Sequence, residues 1–245
     1  MSTKSSSRAD GRKEDELRPV KFKKNAAPAA AGSVLVKMGN TQVLCAVSVE
    51  GSIPRWMREQ GIAGGWITAE YSLLPYATTE RSRRESTMGK VGGRTQEIQR
   101  LIGRSLRAVT DLEKLGTRTF WVDCDVIEAD GGTRTAAITG AYVALRMAVD
   151  KLIKTEALGE DPIREGVAAI SVGIVDGRPL LDLCYVEDVA ASVDMNVVMT
   201  SSGKYVEIQG TAESEPFSGA EADRMLALAD KGIRALVEAQ DRAHG

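Results

Sequence analysis

Apolar positions along this chain fall into short strand-like runs and longer helical repeats, and the changes between them mark its elements. Residues 34–38 and 43–49 flank Gly39-Asn40, which predicts a hairpin. The glycine-rich stretch 61–65 leads into a further strand over 66–74, followed by a polar, arginine-rich loop over 78–94. Thr95 is placed to cap a helix from about 96 to 112, with Glu97 in its first turn. In that helix Ile98, Leu101, Ile102, Ser105 and Val109 share one face, opposite Arg100, Arg104 and Arg107. Residues 119–128 are rich in β-branched and aromatic types and predict a strand. After it, Ala137, Ala141, Ala144, Leu145, Ala148 and Leu152 recur at helical spacing, giving a helix over 133–154 with one face of small residues. Then come a strand over 167–175, a turn at Asp176-Gly177 into 179–185, and a second hairpin of 193–200 with 205–208. Ser218 and Glu221 form a capping box for a last helix to about 240. Adjacent hairpins mixed with long helices point to α+β layers, not a doubly wound parallel sheet.

Composition narrows the class. With 245 residues, 43% hydrophobic and 27% charged, the chain suits one domain of two similar halves over 9–245, behind a mobile, serine-rich tail over 1–8. That tail has no apolar stretch for a signal peptide or membrane span, so the expected place is the cytoplasm, with no membrane partner. Cys45, Cys124 and Cys184 are far apart and lie in apolar runs, as buried free thiols do. The only histidine, His244, stands next to the C-terminus, so carboxylates, cationic side chains or a bound metal must carry any chemistry.

Three features offer that chemistry. Gly131-Gly132-Thr133-Arg134-Thr135 joins a strand end to a helix start, where free N–H groups and the positive end of the helix dipole suit an anion such as phosphate. It reads equally as a tight turn capped by Thr133. Arg81, Arg83, Arg84, Lys90, Arg94, Arg100, Arg104 and Arg107 form a basic stretch that could follow a phosphate backbone, or could be a solvated helix face or pair with acids across a subunit interface. Asp182, Glu187, Asp188 and Asp194 cluster in the second half. Asp188 and Asp194 would be about 20 Å apart in one extended strand. Ala190, Ala191 and Ser192 let the chain bend there and bring the two together. Such a pair can hold Mg²⁺, split into an acid and a base, or be no more than a buried ion pair beside surface acids. No Walker motif is present, and an aromatic content of 4% argues against a single-strand binder built on stacking.

These stretches, with Arg8-Ala9-Asp10-Gly11-Arg12, the segments 65–75 and 93–104, and Val193-Asp194-Met195-Asn196-Val197-Val198, closely resemble the bacterial ribonuclease PH family over about residues 8–240. The resemblance implies a duplicated β-α two-layer unit like the second domain of ribosomal protein S5, assembled as a homo-hexamer, a trimer of dimers. It implies a phosphorolytic 3′-to-5′ exoribonuclease that trims transfer-RNA precursors, and acts in RNA processing more widely. Such an enzyme uses inorganic phosphate to release nucleoside diphosphates and runs in reverse as a nucleotidyltransferase. Carried over by position, the phosphate ligands are Arg94, Gly132, Thr133 and Arg134. The catalytic and Mg²⁺-binding pair is Asp188 and Asp194. The RNA-guiding arginines match the region of Arg81, Arg83 and Arg84, and the basic helix face adds Arg100 and Arg104 to that track. A non-catalytic RNA-binding subunit of a related ring is the alternative, and would be favoured by loss of the acidic pair or the phosphate cradle.

Overall fold

Two antiparallel-rich sheets share one long helix. A computed structural model describes Arg8 and residues 10–245. The first sheet takes β1 (Val20–Lys24), β2 (Gly32–Met38), β3 (Thr41–Glu50), β4 (Trp66–Leu73) and β5 (Thr119–Glu128), in the order β1-β2-β3-β5-β4. Only the β4–β5 pair is parallel. The second takes β6 (Val167–Val175), β7 (Arg178–Leu181), β8 (Val193–Thr200) and β9 (Tyr205–Ala212), ordered β7-β6-β8-β9 and antiparallel throughout. The helices are α1 (Arg55–Glu59), α2 (Gly93–Ala108), α3 (Thr133–Lys154), α4 (Tyr185–Ala190) and α5 (Gly219–His244).

Each element follows from its pattern. In β5, Phe120, Val122, Cys124 and Val126 are buried while the alternate residues face outward, as a half-covered strand requires. All nine residues of β6 are buried, because α3 and α5 pack against it. The small side chains of α3 let it lie close to the sheets: a Cβ on Gly140 would stand 2.6 Å from Val36. One apolar core runs from β2 and β3 through α3 to β6, β8 and α5. All three thiols are free and buried.

Several expectations shift. Residues 1–7 of the expected tail lie outside the described residues. Arg8 is described, and it is buried because Glu187 holds its guanidinium. Helix α2 begins at Gly93, two residues before Thr95, with Gly92 as N-cap; the Thr95 hydroxyl donates instead to Glu85 at 2.8 Å. Strand β7 stops at Leu181, because Asp182 takes a left-handed φ of 56° and α4 then begins at Tyr185. The capping box of α5 forms as expected.

Candidate active site

Two helix N-termini and the β7–β8 connection meet at one cleft of about 210 Å³. Arg94 comes from the first turn of α2; Gly132, Thr133 and Arg134 come from the start of α3. Asp188 arrives on α4 and Asp194 on β8. The six residues expected to bind phosphate or act in catalysis therefore line the same cavity. A roomier cleft of about 730 Å³ between the N-terminal segment and α5 contains none of them.

The cradle is built from backbone. Gly131 and Gly132 both take left-handed φ values, 72° and 64°, and Gly132, not Thr133, is the N-cap of α3. The cap reading of Thr133 is thereby corrected: its hydroxyl accepts from the Tyr71 hydroxyl at 2.9 Å. The first N–H groups of α3 have no acceptor within the helix, and their dipole end faces the cleft. Gly131 is pressed against α4, since a Cβ there would stand 2.6 Å from the Leu183 carbonyl oxygen and 2.9 Å from the Tyr185 nitrogen. Gly131→Ala should therefore push α4 away from the cradle, lowering Tm by several degrees and kcat by at least about tenfold, because small misplacements of reacting groups are expensive. A thermal melt with initial rates checks this; unchanged rates would show that the contact does not position the site.

Arg134 is pinned before any ligand arrives. Its Nη1 donates to Gln209 Oε1 at 2.6 Å and lies 3.4 Å from Glu97 Oε1, while Gln209 Nε2 donates to Glu97 Oε1 at 2.5 Å. This triad links the starts of α2 and α3 to β9. Burial raises the carboxyl of Asp188, opposed by Arg134, Arg94 and Arg18. Burial and then the charge of Asp188 push Asp194 up to about 6, against Arg134 and a 3.3 Å hydrogen bond from Asn196. Among the described residues Asp194 Oδ1 is buried with no hydrogen-bond partner. Two carboxylates whose proton affinity burial raises, one of them with an oxygen unmatched among the described residues, form a site suited to a cation.

The rest of the carboxylate cluster does not join them. Asp182 is held by Arg18, and Glu187 by Arg8. The arginine stretch also divides. Arg81, Arg83 and Arg84 are exposed in the β4–α2 loop outside the cleft, and Arg100 is exposed on α2. Arg104 pairs with Glu207 on β9. Arg107 lies 4.4 Å over the Trp66 ring and donates to the Ile67 carbonyl at 2.8 Å, so it serves packing. Sequence reasoning missed Tyr71, Asn196, Glu97 and Gln209. Asn196 stands two residues after Asp194, so the strand period puts it on the same face; nothing in the spacing of the other three announces them.

The family profile described as 3′ exoribonuclease family, domain 1, matches residues 16–149, and that described as domain 2 matches residues 166–232. The chain is 57% identical over 244 residues to the ribonuclease PH of Corynebacterium efficiens, covering 100% of this chain and 99% of that one. It is likewise 57% identical over 240 residues to that of Halalkalibacterium halodurans, covering 97% and 92%. Among solved structures, the Archaeoglobus fulgidus exosome with RNA bound to the active site matches with a TM-score of 0.80 at 25% identity, covering 95% of this chain and 92% of that one. Rice Rrp46 matches with a TM-score of 0.74 at 22% identity over 96% of each chain, which is a likeness of fold.

Proposed function

The chain belongs to the ribonuclease PH family of 3′ exoribonucleases, and from that premise we propose how its cleft works. It is a phosphate-dependent 3′-to-5′ exoribonuclease of transfer-RNA processing and, in reverse, a nucleotidyltransferase. That membership favours the enzyme over a non-catalytic ring subunit. The observation that carries the site assignment is the meeting of Arg94, Thr133 and Arg134 with Asp188 and Asp194 in one cavity.

Inorganic phosphate rests on the Gly132–Thr133 end of α3 between Arg94 and Arg134. One of its oxygens attacks the phosphorus of the last phosphodiester as the bond to the 3′ oxygen breaks. The nucleoside diphosphate departs, and the 3′ oxygen of the shortened RNA takes up a proton. No protein nucleophile is needed, so the cradle contributes by placing two anions in line and neutralising their repulsion. Asp188 and Asp194 would hold Mg²⁺, which would supply positive charge to offset the negative charge that builds up as the bond breaks. The unpartnered Asp194 Oδ1 supports this. Arg104 is engaged by Glu207, so the RNA track runs through Arg81, Arg83, Arg84 and Arg100, which grip phosphates and not bases.

A metal-free test follows from the Asp194 carboxyl. Its folded value of about 6 lies above the ordinary 3.8, so its contribution to stability is complete below about pH 4 and is lost as pH rises through 6. In EDTA, Asp194→Asn should therefore melt several degrees above the wild type at pH 8, and the margin should close toward pH 4. Adding Mg²⁺ should raise the wild-type Tm and leave Asp194→Asn unmoved. An equal Mg²⁺ response in both proteins would make the pair a proton donor and not a metal site.

We infer a homo-hexamer, a trimer of dimers, in the cytoplasm. Exposed Trp56, Ile62 and Met88 support assembly, since they are apolar side chains a neighbouring subunit could cover. Three free thiols suit a reducing compartment, and among the described residues no helix is long and apolar enough to cross a membrane.

A further inference from the structure

The segment before β1 carries three arginines, Arg8, Arg12 and Arg18, and each is directed at the short stretch that presents Asp188. Six residues are too few for α4 to hold its own conformation. Glu187 closes its first turn by accepting the Cys184 N–H at 3.0 Å, and Asp130 Oδ1 accepts the Tyr185 N–H at 3.1 Å. Arg8 grips the same Glu187 with two parallel bonds, Nε to Oε1 and Nη2 to Oε2, both 2.7 Å. It also donates to the carbonyl oxygens of Leu181 and Asp182 at 2.8 and 3.0 Å, so one guanidinium spans the end of β7 and the start of α4. The side chains of this pair are 1% and 7% exposed. Arg18 completes the clamp on Asp182 with bonds of 2.6 and 3.0 Å, which holds that residue in its left-handed conformation. Arg12 Nη2 lies 3.6 Å from Glu187.

We propose that Arg8 is a positioning residue for phosphorolysis: its two-pronged bond to Glu187 sets where α4 presents the adjacent Asp188 to the cleft. A buried ion pair is a poor source of stability, because apolar residues of similar size often stabilise as well. What it does supply is orientation, and the fork of an arginine fixes a carboxylate plane as a lysine cannot. The inference rests on the assignment of Asp188 above, and the variants are chosen to separate the two.

Arg8→Lys, Arg8→Met, Glu187→Gln and Asp188→Asn are compared with the wild type at a temperature where each is folded. Arg8→Lys should lose about fivefold in kcat and Arg8→Met about thirtyfold, a loss in the range that misplacement of a reacting group produces. In both, KM for phosphate should stay within about twofold, and phosphate should still raise Tm as it does in the wild type, because the cradle is untouched. Arg8→Met and Glu187→Gln should not add when combined, since they break one contact. A purely structural pair would lower Tm and leave kcat at the wild-type value in Arg8→Lys and Arg8→Met, which overturns the proposal. Loss of the phosphate-dependent rise in Tm also overturns it, because the damage then reaches the cradle. If Arg8→Met does not fold, Arg8→Lys decides alone. Full activity in Asp188→Asn defeats the site assignment itself. An inactive Asp188→Asn beside wild-type rates in the Arg8 variants defeats only this inference.

Discussion

Asp194→Asn should lower kcat for phosphorolysis about a thousandfold, the middle of the range for loss of a positioned catalytic carboxylate. The substitution keeps the shape of the side chain, so β8 and the core beneath it stay in place. It removes the charge that pairs with Asp188, and with it the proposed seat for Mg²⁺. RNA affinity, which we assign to arginines outside the cleft, should stay within about twofold in a filter-binding or anisotropy titration at fixed salt. Near-normal turnover would remove Asp194 from the chemistry. Equal losses in turnover and RNA affinity would make it a residue of the RNA path.

Arg134→Ala should raise KM for phosphate by about 10- to 100-fold, the loss that corresponds to one or two charge-assisted hydrogen bonds. The guanidinium is already fixed by Gln209 and Glu97, so it meets phosphate without first being ordered. Arg134→Lys should recover only part of the affinity, because a lysine keeps the charge and loses the planar fork. Steady-state kinetics with phosphate and RNA varied separately gives both constants. A change confined to the KM for RNA would show that this arginine belongs to the RNA track and not the cradle.

The strands and helices were legible wherever the apolar pattern ran long. The β5 and α3 boundaries, 119–128 and 133–154, match the expected ones, because a half-buried strand and a small-residue helix each sustain one period over several turns of the pattern. Strand β1 escaped notice: it has five residues, three of them lysine, and only partial burial. Helix α4 was hidden because Cys184 fills the cap position usually taken by a hydroxyl or carboxylate residue.

At the site, residue types were informative and spacing was not. Glu187 and Asp188 are neighbours, yet the helix turns them apart, one toward Arg8 and the other toward the cleft. Nothing in the order of Asp182, Glu187, Asp188 and Asp194 tells which two will meet; the left-handed turn at Asp182 and the bend before β8 decide it. The arginines divide for a similar reason. Arg104 and Arg107 share a helix face with Arg100, but Glu207 and Trp66 reach them from other elements. Long-range partners such as Gln209 for Arg134 have no signature in sequence.

The central claim is that the anion held at the start of α3 is the attacking reactant. RNA with an unpaired 3′ tail, incubated with the protein and Mg²⁺ with and without inorganic phosphate, tests it through the identity of the released nucleotides. The account predicts nucleoside diphosphates, and only when phosphate is present. Nucleoside monophosphates released without phosphate, or no release under either condition, would contradict it.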